Sequence, residues 1–199
     1  MATELELKAV VANPAALRAR LRDAGAVRQF RGFMRDRRFD RNGELDSRDE
    51  VLRLRLWIPE GHGPHRAVVA FKGPTTVSPD GYKHRDELEF DAAPGEAALA
   101  TFQALGYVIT HAIDRFVEVW RQDATTVRLE WYPRMDVLAE IEGNPDGIEA
   151  AIRTLGLERR ACVPDALVSF TARYEQRTGH SACLAEAELE DQPPGWTGA

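Results

Sequence analysis

Cysteine is scarce. Cys162 and Cys183 are the two in 199 residues, and neither has a second Cys or a His at zinc-ligand spacing. A disulfide framework and a zinc finger find no support, and free thiols in a reducing compartment are expected. No apolar run approaches the length that crosses a bilayer. Nor does the N-terminal stretch join a basic segment to an apolar one and a small-residue cleavage site, so a soluble cytoplasmic protein without a membrane partner is expected. Glycine-rich phosphate loops, the dinucleotide-binding glycine pattern, a helix-turn-helix and fixed-period repeats are also missing. Positive charge is in deficit, with 26 Lys and Arg against 32 Asp and Glu and a net charge of −6. Four of those negative charges are Glu186, Glu188, Glu190 and Asp191 near the end. A body this close to neutral argues against broad binding to duplex nucleic acid, but leaves room for a small internal basic site.

What is present is a recurring stripe. In Thr3 to Val10, T-E-L-E-L-K-A-V, side chains of a strand alternate faces, so Glu4, Glu6 and Lys8 share one face and Leu5, Leu7 and Ala9 the other. The pattern returns in Leu52-Arg53-Leu54-Arg55-Leu56-Trp57, in Lys83 to Phe90, in Val127-Arg128-Leu129-Glu130-Trp131 and in Leu138-Ala139-Glu140-Ile141-Glu142. If the apolar faces point outward under amphipathic helices, the charged faces look inward across a closed or nearly closed barrel. Carboxylates would then bind a hard divalent cation, and Lys and Arg would neutralise a polyanion. An open sheet with a solvated charged face satisfies the same alternation.

Length and 44% hydrophobic content suit one globular domain, over 1–178, with an acidic segment over 179–199 whose Ala, Glu, Gly and Pro content predicts disorder. Asn13-Pro14 caps a first helix carrying Leu17 and Leu21, which Gly25 ends. The segment from Arg28 to Asp46 is basic but interleaved with Asp36, Asp40 and Glu44, which weakens a nucleic-acid reading. Pro59 to Pro64 turns one strand back on the next, which ends at Phe71-Lys72-Gly73-Pro74. Helices follow over 95–106, from Asn144-Pro145 and from Pro164-Asp165, and the four helices are expected to cover the outer faces.

The ordered set Glu4-Leu5-Glu6-Leu7-Lys8, Phe39-Asp40 with Gly43, Leu52-Arg53-Leu54-Arg55, Phe71-Lys72-Gly73-Pro74, Arg85-x-Glu87-x-Glu89 and Glu140-Ile141-Glu142 resembles the CYTH proteins, the triphosphate tunnel metalloenzymes, over about residues 3 to 178. The resemblance implies an α+β fold: an antiparallel β-barrel of about eight strands forming a charged tunnel, with helices outside. It implies Mg²⁺ or Mn²⁺ held by Glu4, Glu6, Glu140 and Glu142, with Glu130 where many members have Asp. Lys8, Arg53, Arg55, Lys72, Arg85 and Arg115 would grip the triphosphate, joined by Lys83 on the face of Arg85. Glu4, Glu6 and Lys8 would be catalytic.

The chain departs from the family pattern at Val117 and Trp120, where a second basic residue and a Tyr are common, and across Glu130 to Asp136. Its expected partner is a small-molecule triphosphate, with homodimerisation left open. The expected activity is metal-dependent hydrolysis of inorganic or organic triphosphate, such as thiamine triphosphate. A class IV adenylyl cyclase is the alternative, and a polyphosphate- or nucleotide-binding module without turnover is a third.

Overall fold

The computed structural model describes residues 2–79, 81–190 and 192–197; of residues 2–4 it describes the backbone alone. Nine strands and four helices follow one another: β1 Ala2–Val10, α1 Pro14–Asp23, β2 Val27–Asp40, β3 Val51–Pro59, β4 Arg66–Lys72, β5 Thr76–Val77, β6 Lys83–Asp91, α2 Gly95–Ala104, β7 Val108–Gln122, β8 Thr125–Trp131, β9 Leu138–Glu142, α3 Pro145–Leu155 and α4 Leu167–Thr178. The strands run in the order β1-β9-β8-β7-β2-β3-β4-β6, and β6 pairs back to β1 to close an eight-stranded antiparallel barrel. The two-residue β5 is an extra strand on β6. Closure removes the exposed edges that an open sheet would present.

Local chemistry sets the elements. Asn13 accepts from Ala16 N at 3.0 Å with Pro14 behind it, and Asn144 accepts from Gly147 N at 2.8 Å with Pro145 behind it, so each side chain satisfies a helix-start N–H left over by the helix. Gly32, on β2 opposite Val117, has φ +154°, and a Cβ there would meet Ile58 O at 2.3 Å. Only glycine fits where β2 and β3 approach so closely.

The barrel's outer face is apolar where the alternation put it. Leu7, Leu129, Ile141 and Trp120 meet Leu17 and Leu21 of α1 and Ile148, Ile152 and Leu155 of α3. On the other side Leu54, Ala67 and Val69 are covered by Ala98, Leu99 and Phe102 of α2. Completely buried leucines and isoleucines of this kind each cost about 2–5 kcal/mol when cut to Ala.

Two expectations change. Helix α4 does not cover an outer face. Its Phe170 and Leu167 pack on Ile113, Tyr132 and Leu138, which share the strand faces of Arg115, Glu130 and Glu140, so α4 closes one end of the barrel. The disordered tail is also corrected for 180–190 and 192–197. β7 outruns β8 at its N-terminal side, and this segment takes up the free edge, with Asp114 N donating to Leu184 O at 2.7 Å and Cys183 bridging Arg134. Cys183 and Ala185 are buried, and Trp196 packs edge-on against Phe33. An unpaired strand edge recruits backbone regardless of helix propensity, which composition alone does not reveal.

Candidate active site

Opposite the apolar faces, the inward positions of the eight strands enclose a cavity of about 680 Å³. Among the described residues nine cationic side chains line it: Lys8, Arg38, Arg53, Arg55, Lys72, Lys83, Arg85, Arg115 and Arg128. Eight of the nine are held by oxygens. Lys8 Nζ lies 2.8 Å from Glu6 and 2.9 Å from Glu140, and Lys83 also reaches Glu6. Arg128 donates Nε to Glu130 at 2.7 Å and its second arm to Glu140. Arg55 forks onto Asp36 at 2.7 and 2.8 Å, and Arg115 joins that carboxylate while donating to Glu130 at 3.1 Å. Arg53 reaches Glu87 and Glu89, Lys72 reaches Glu87, and Arg85 donates to Gly73 O at 2.6 Å and to Asp49 O.

The ionisation states follow. Burial opposes the charge on Asp36, but Arg55 and Arg115 outweigh it and hold the carboxyl well below the usual range. Burial likewise opposes charge on Glu140, and Arg128 with Lys8 overcomes it. Glu130 is lowered against burial by Arg115 and Arg128. Lys8 is raised, because Glu140 and Glu6 together exceed its burial penalty. Lys83 is lowered by burial and by Lys8. Arg53 is pulled down to about 10 by burial and by Arg55, and is still charged at neutral pH.

Of the residues expected from sequence, Glu6, Lys8, Arg53, Arg55, Lys72, Lys83, Arg85, Arg115 and Glu140 share this cavity. The side chain of Glu4 lies outside the described residues; its backbone pairs with Arg85. Glu142 stands beside Glu6 in register but does not line the cavity. Glu130 is 0% exposed, lies behind the cavity wall, and accepts from two arginines and from Tyr132 Oη. Val117 faces inward with Arg115, as strand spacing requires, yet is 0% exposed and does not reach the cavity. Asp40 caps the following loop, accepting from Leu45 N at 3.2 Å and Asp46 N at 3.0 Å, so the Phe39-Asp40 motif is a turn device.

Asp36, Arg38, Arg128 and Tyr132 also line the cavity, outside the set expected from sequence. Arg128 carried a signal, since it shares a stripe with Glu130. Asp36 and Arg38 did not, because Arg35 and Arg37 between and beside them are charged too; these face outward to Glu186 and Asp114.

A divalent ion is implied by the resemblance, and the donors fit it in kind. Glu6 and Glu140 converge from neighbouring strands on one point, now the Lys8 ammonium, and offer the hard oxygens that Mg²⁺ and Mn²⁺ prefer. Among the described residues, no three carboxylate, His or Cys side chains already converge as a metal shell.

The fold and this lumen define a closed barrel with a charged tunnel. No protein-family model matches the chain, and no curated protein sequence does. Solved structures do. The PH1012 protein from Pyrococcus horikoshii matches with 21% identity, 84% of this chain and 98% of that one, at TM-score 0.66. A Vibrio parahaemolyticus protein provisionally named an adenylate cyclase matches with 15% identity, 85% and 97% coverage, and TM-score 0.72. HpAC1 from Hippeastrum, provisionally named an adenylyl cyclase and described as having a dominant triphosphatase activity, matches with 15% identity, 96% and 100% coverage, and TM-score 0.61. The likeness to the CYTH barrel read from Glu4 to Glu142 therefore holds for the fold. No helix among the described residues is long and apolar enough to cross a membrane.

Proposed function

We propose that the chain is a CYTH-type, divalent-metal-dependent enzyme acting on a triphosphate-bearing substrate, and that it hydrolyses inorganic or organic triphosphate, such as thiamine triphosphate. The observation that carries this reading is the nine cations around one cavity of about 680 Å³, with Glu6 and Glu140 on one wall. These cations are held by shared carboxylates and carbonyl oxygens that they can exchange for phosphate oxygens, and a triphosphate has the charge and length to touch several at once. A solved neighbour described as having a dominant triphosphatase activity supports it too.

The residues divide the work by position. Arg53, Arg55, Lys72 and Arg85 on β3, β4 and β6 would orient the phosphate chain; Lys8, Lys83 and Arg128 would meet it at the acidic wall. Glu6 and Glu140 would hold Mg²⁺ or Mn²⁺, joined by Glu4 and Glu142 as the resemblance implies. The ion supplies Lewis-acid neutralisation of developing phosphate charge. Lys8, shared between Glu6 and Glu140, is placed where its ammonium would also meet phosphate. Asp36 and Glu130 stay behind and fix the arginine forks, so the donors need little reorganisation as charge moves in the transition state.

A cyclase reading is favoured by one observation. Ile113, Leu167, Val168 and Leu184 give part of the cavity an apolar wall, which suits a base or another organic group. Incubation with ATP, thiamine triphosphate and inorganic triphosphate plus Mg²⁺ or Mn²⁺ decides between them. Orthophosphate means hydrolysis, cyclic AMP with pyrophosphate means cyclisation, and bound but unchanged ligand means a binding module.

A further inference from the structure

Arg38 lines the cavity yet has none of the partners that hold the other eight cations. Among the described residues no carboxylate lies within 4.0 Å of its guanidinium, and its buried Nε has no hydrogen-bond partner. In register it stands beside Arg53 of β3 and His111 of β7, one inward position along from the Asp36–Arg55 pair. The tunnel wall thus carries an outer pair of cations, Arg38 and Arg53, next to an inner pair, Arg55 and Arg115, and the single carboxylate between them, Asp36, is spent on the inner pair.

We propose that Arg38 is a phosphate-binding side chain that extends the clamp outward, so that the site distinguishes a chain of phosphates from a single phosphate. The proposal rests on the triphosphate reading above. Its physical basis is the missing counter-charge. A partly buried guanidinium among like charges destabilises the empty protein: burial together with Arg115, Arg85 and Arg55 outweighs the attraction of Asp36, which is already paired with Arg55 and Arg115, and disfavours the protonated form of Arg38. An anion at that position repairs the charge and the orphaned N–H together; Arg18, Arg35, Arg53 and Arg115 share an unpartnered Nε, but each of those has a carboxylate on its guanidinium and Arg38 has none among the described residues. One phosphate gripped by Arg55 and Arg115 leaves Arg38 without a partner; a longer chain reaches it.

The test is calorimetric titration of metal-free wild type, Arg38→Met and Arg38→Gln with inorganic tripolyphosphate and with orthophosphate, alongside melting curves of each empty protein. The expected result is tripolyphosphate binding weakened about tenfold or more in both variants, the loss of one charge-assisted contact. Orthophosphate affinity should change less than threefold, and the empty variants should melt at or above the wild-type temperature. Equal tripolyphosphate affinity in wild type and variants would overturn the role of Arg38 while leaving the triphosphate reading standing. Weaker binding with melting lowered by several degrees would show a structural role instead. Wild type that ignores tripolyphosphate would overturn both.

Discussion

Glu130 separates a ligand from a support. Read as part of the stripe, it is a fifth carboxylate for a metal; in the fold it is 0% exposed and takes Arg115 at 3.1 Å, Arg128 at 2.7 Å and the hydroxyl of Tyr132. Glu130→Gln keeps the shape and removes the charge, leaving two buried guanidinium groups short of a partner. Removing one member of a buried ion pair costs about 3–5 kcal/mol. Gln retains an acceptor for one of the three donors, so the lower end, about 3 kcal/mol, is expected. For a domain of this size each kcal/mol lowers the melting temperature by about 2–4 °C, which gives a fall of roughly 6–12 °C. Thermal and urea unfolding measure this, and Mn²⁺ titration of the same variant should give a dissociation constant within threefold of wild type. A variant that melts like wild type but loses Mn²⁺ affinity tenfold would refute the placement and return Glu130 to the ligand set.

Other outcomes follow from the same geometry. Val117→Arg should destabilise the protein by at least about 1–3 kcal/mol through overpacking and should not tighten tripolyphosphate, because Val117 has no exposed surface and no access to the cavity; tighter binding at unchanged melting would contradict this. Deleting 180–199 should lower melting by several degrees, since Cys183, Ala185 and Trp196 lose their packing and the β7 edge at Asp114 opens; melting equal to wild type would show the segment contributes nothing. On acidification, Asp36, Glu130 and Glu140 have folded values below their unfolded ones near 4, so their stabilisation is complete above about pH 5 and is lost as pH falls below about 4. Urea unfolding from pH 7 to 3 should show a plateau and then a decline, and Asp36→Asn should flatten the decline.

The barrel and most of its lumen were legible because period-two alternation survives wherever one face is apolar. Leu5, Leu7, Leu52, Leu54 and Leu129 mark the outside, and their neighbours fall inside without further information. Legibility fails where that contrast fails. Around Arg35 to Arg38 both faces are charged, so Asp36 and Arg38 could not be sorted inward. Helix α4 is amphipathic like the other helices, and nothing in its spacing says that the surface it covers is the end of a barrel. The final segment lacks helical or strand periodicity because it docks through backbone hydrogen bonds to the β7 edge and to Arg134 and through single side chains, Cys183, Ala185 and Trp196. Glu130 has the right parity for a ligand, but parity does not report depth behind the wall.

The most direct test of the central claim is product analysis of wild type and Glu6→Gln incubated with inorganic triphosphate and Mn²⁺, with melting curves for both. Glu6 lies in the cavity and Lys8 keeps Glu140 when Glu6 is neutralised, so the account predicts orthophosphate release by wild type, release reduced at least a hundredfold in Glu6→Gln, and a cooperative melting transition no further below wild type than that of Glu130→Gln. Equal release by the two proteins, or none from wild type with any triphosphate offered, would contradict it.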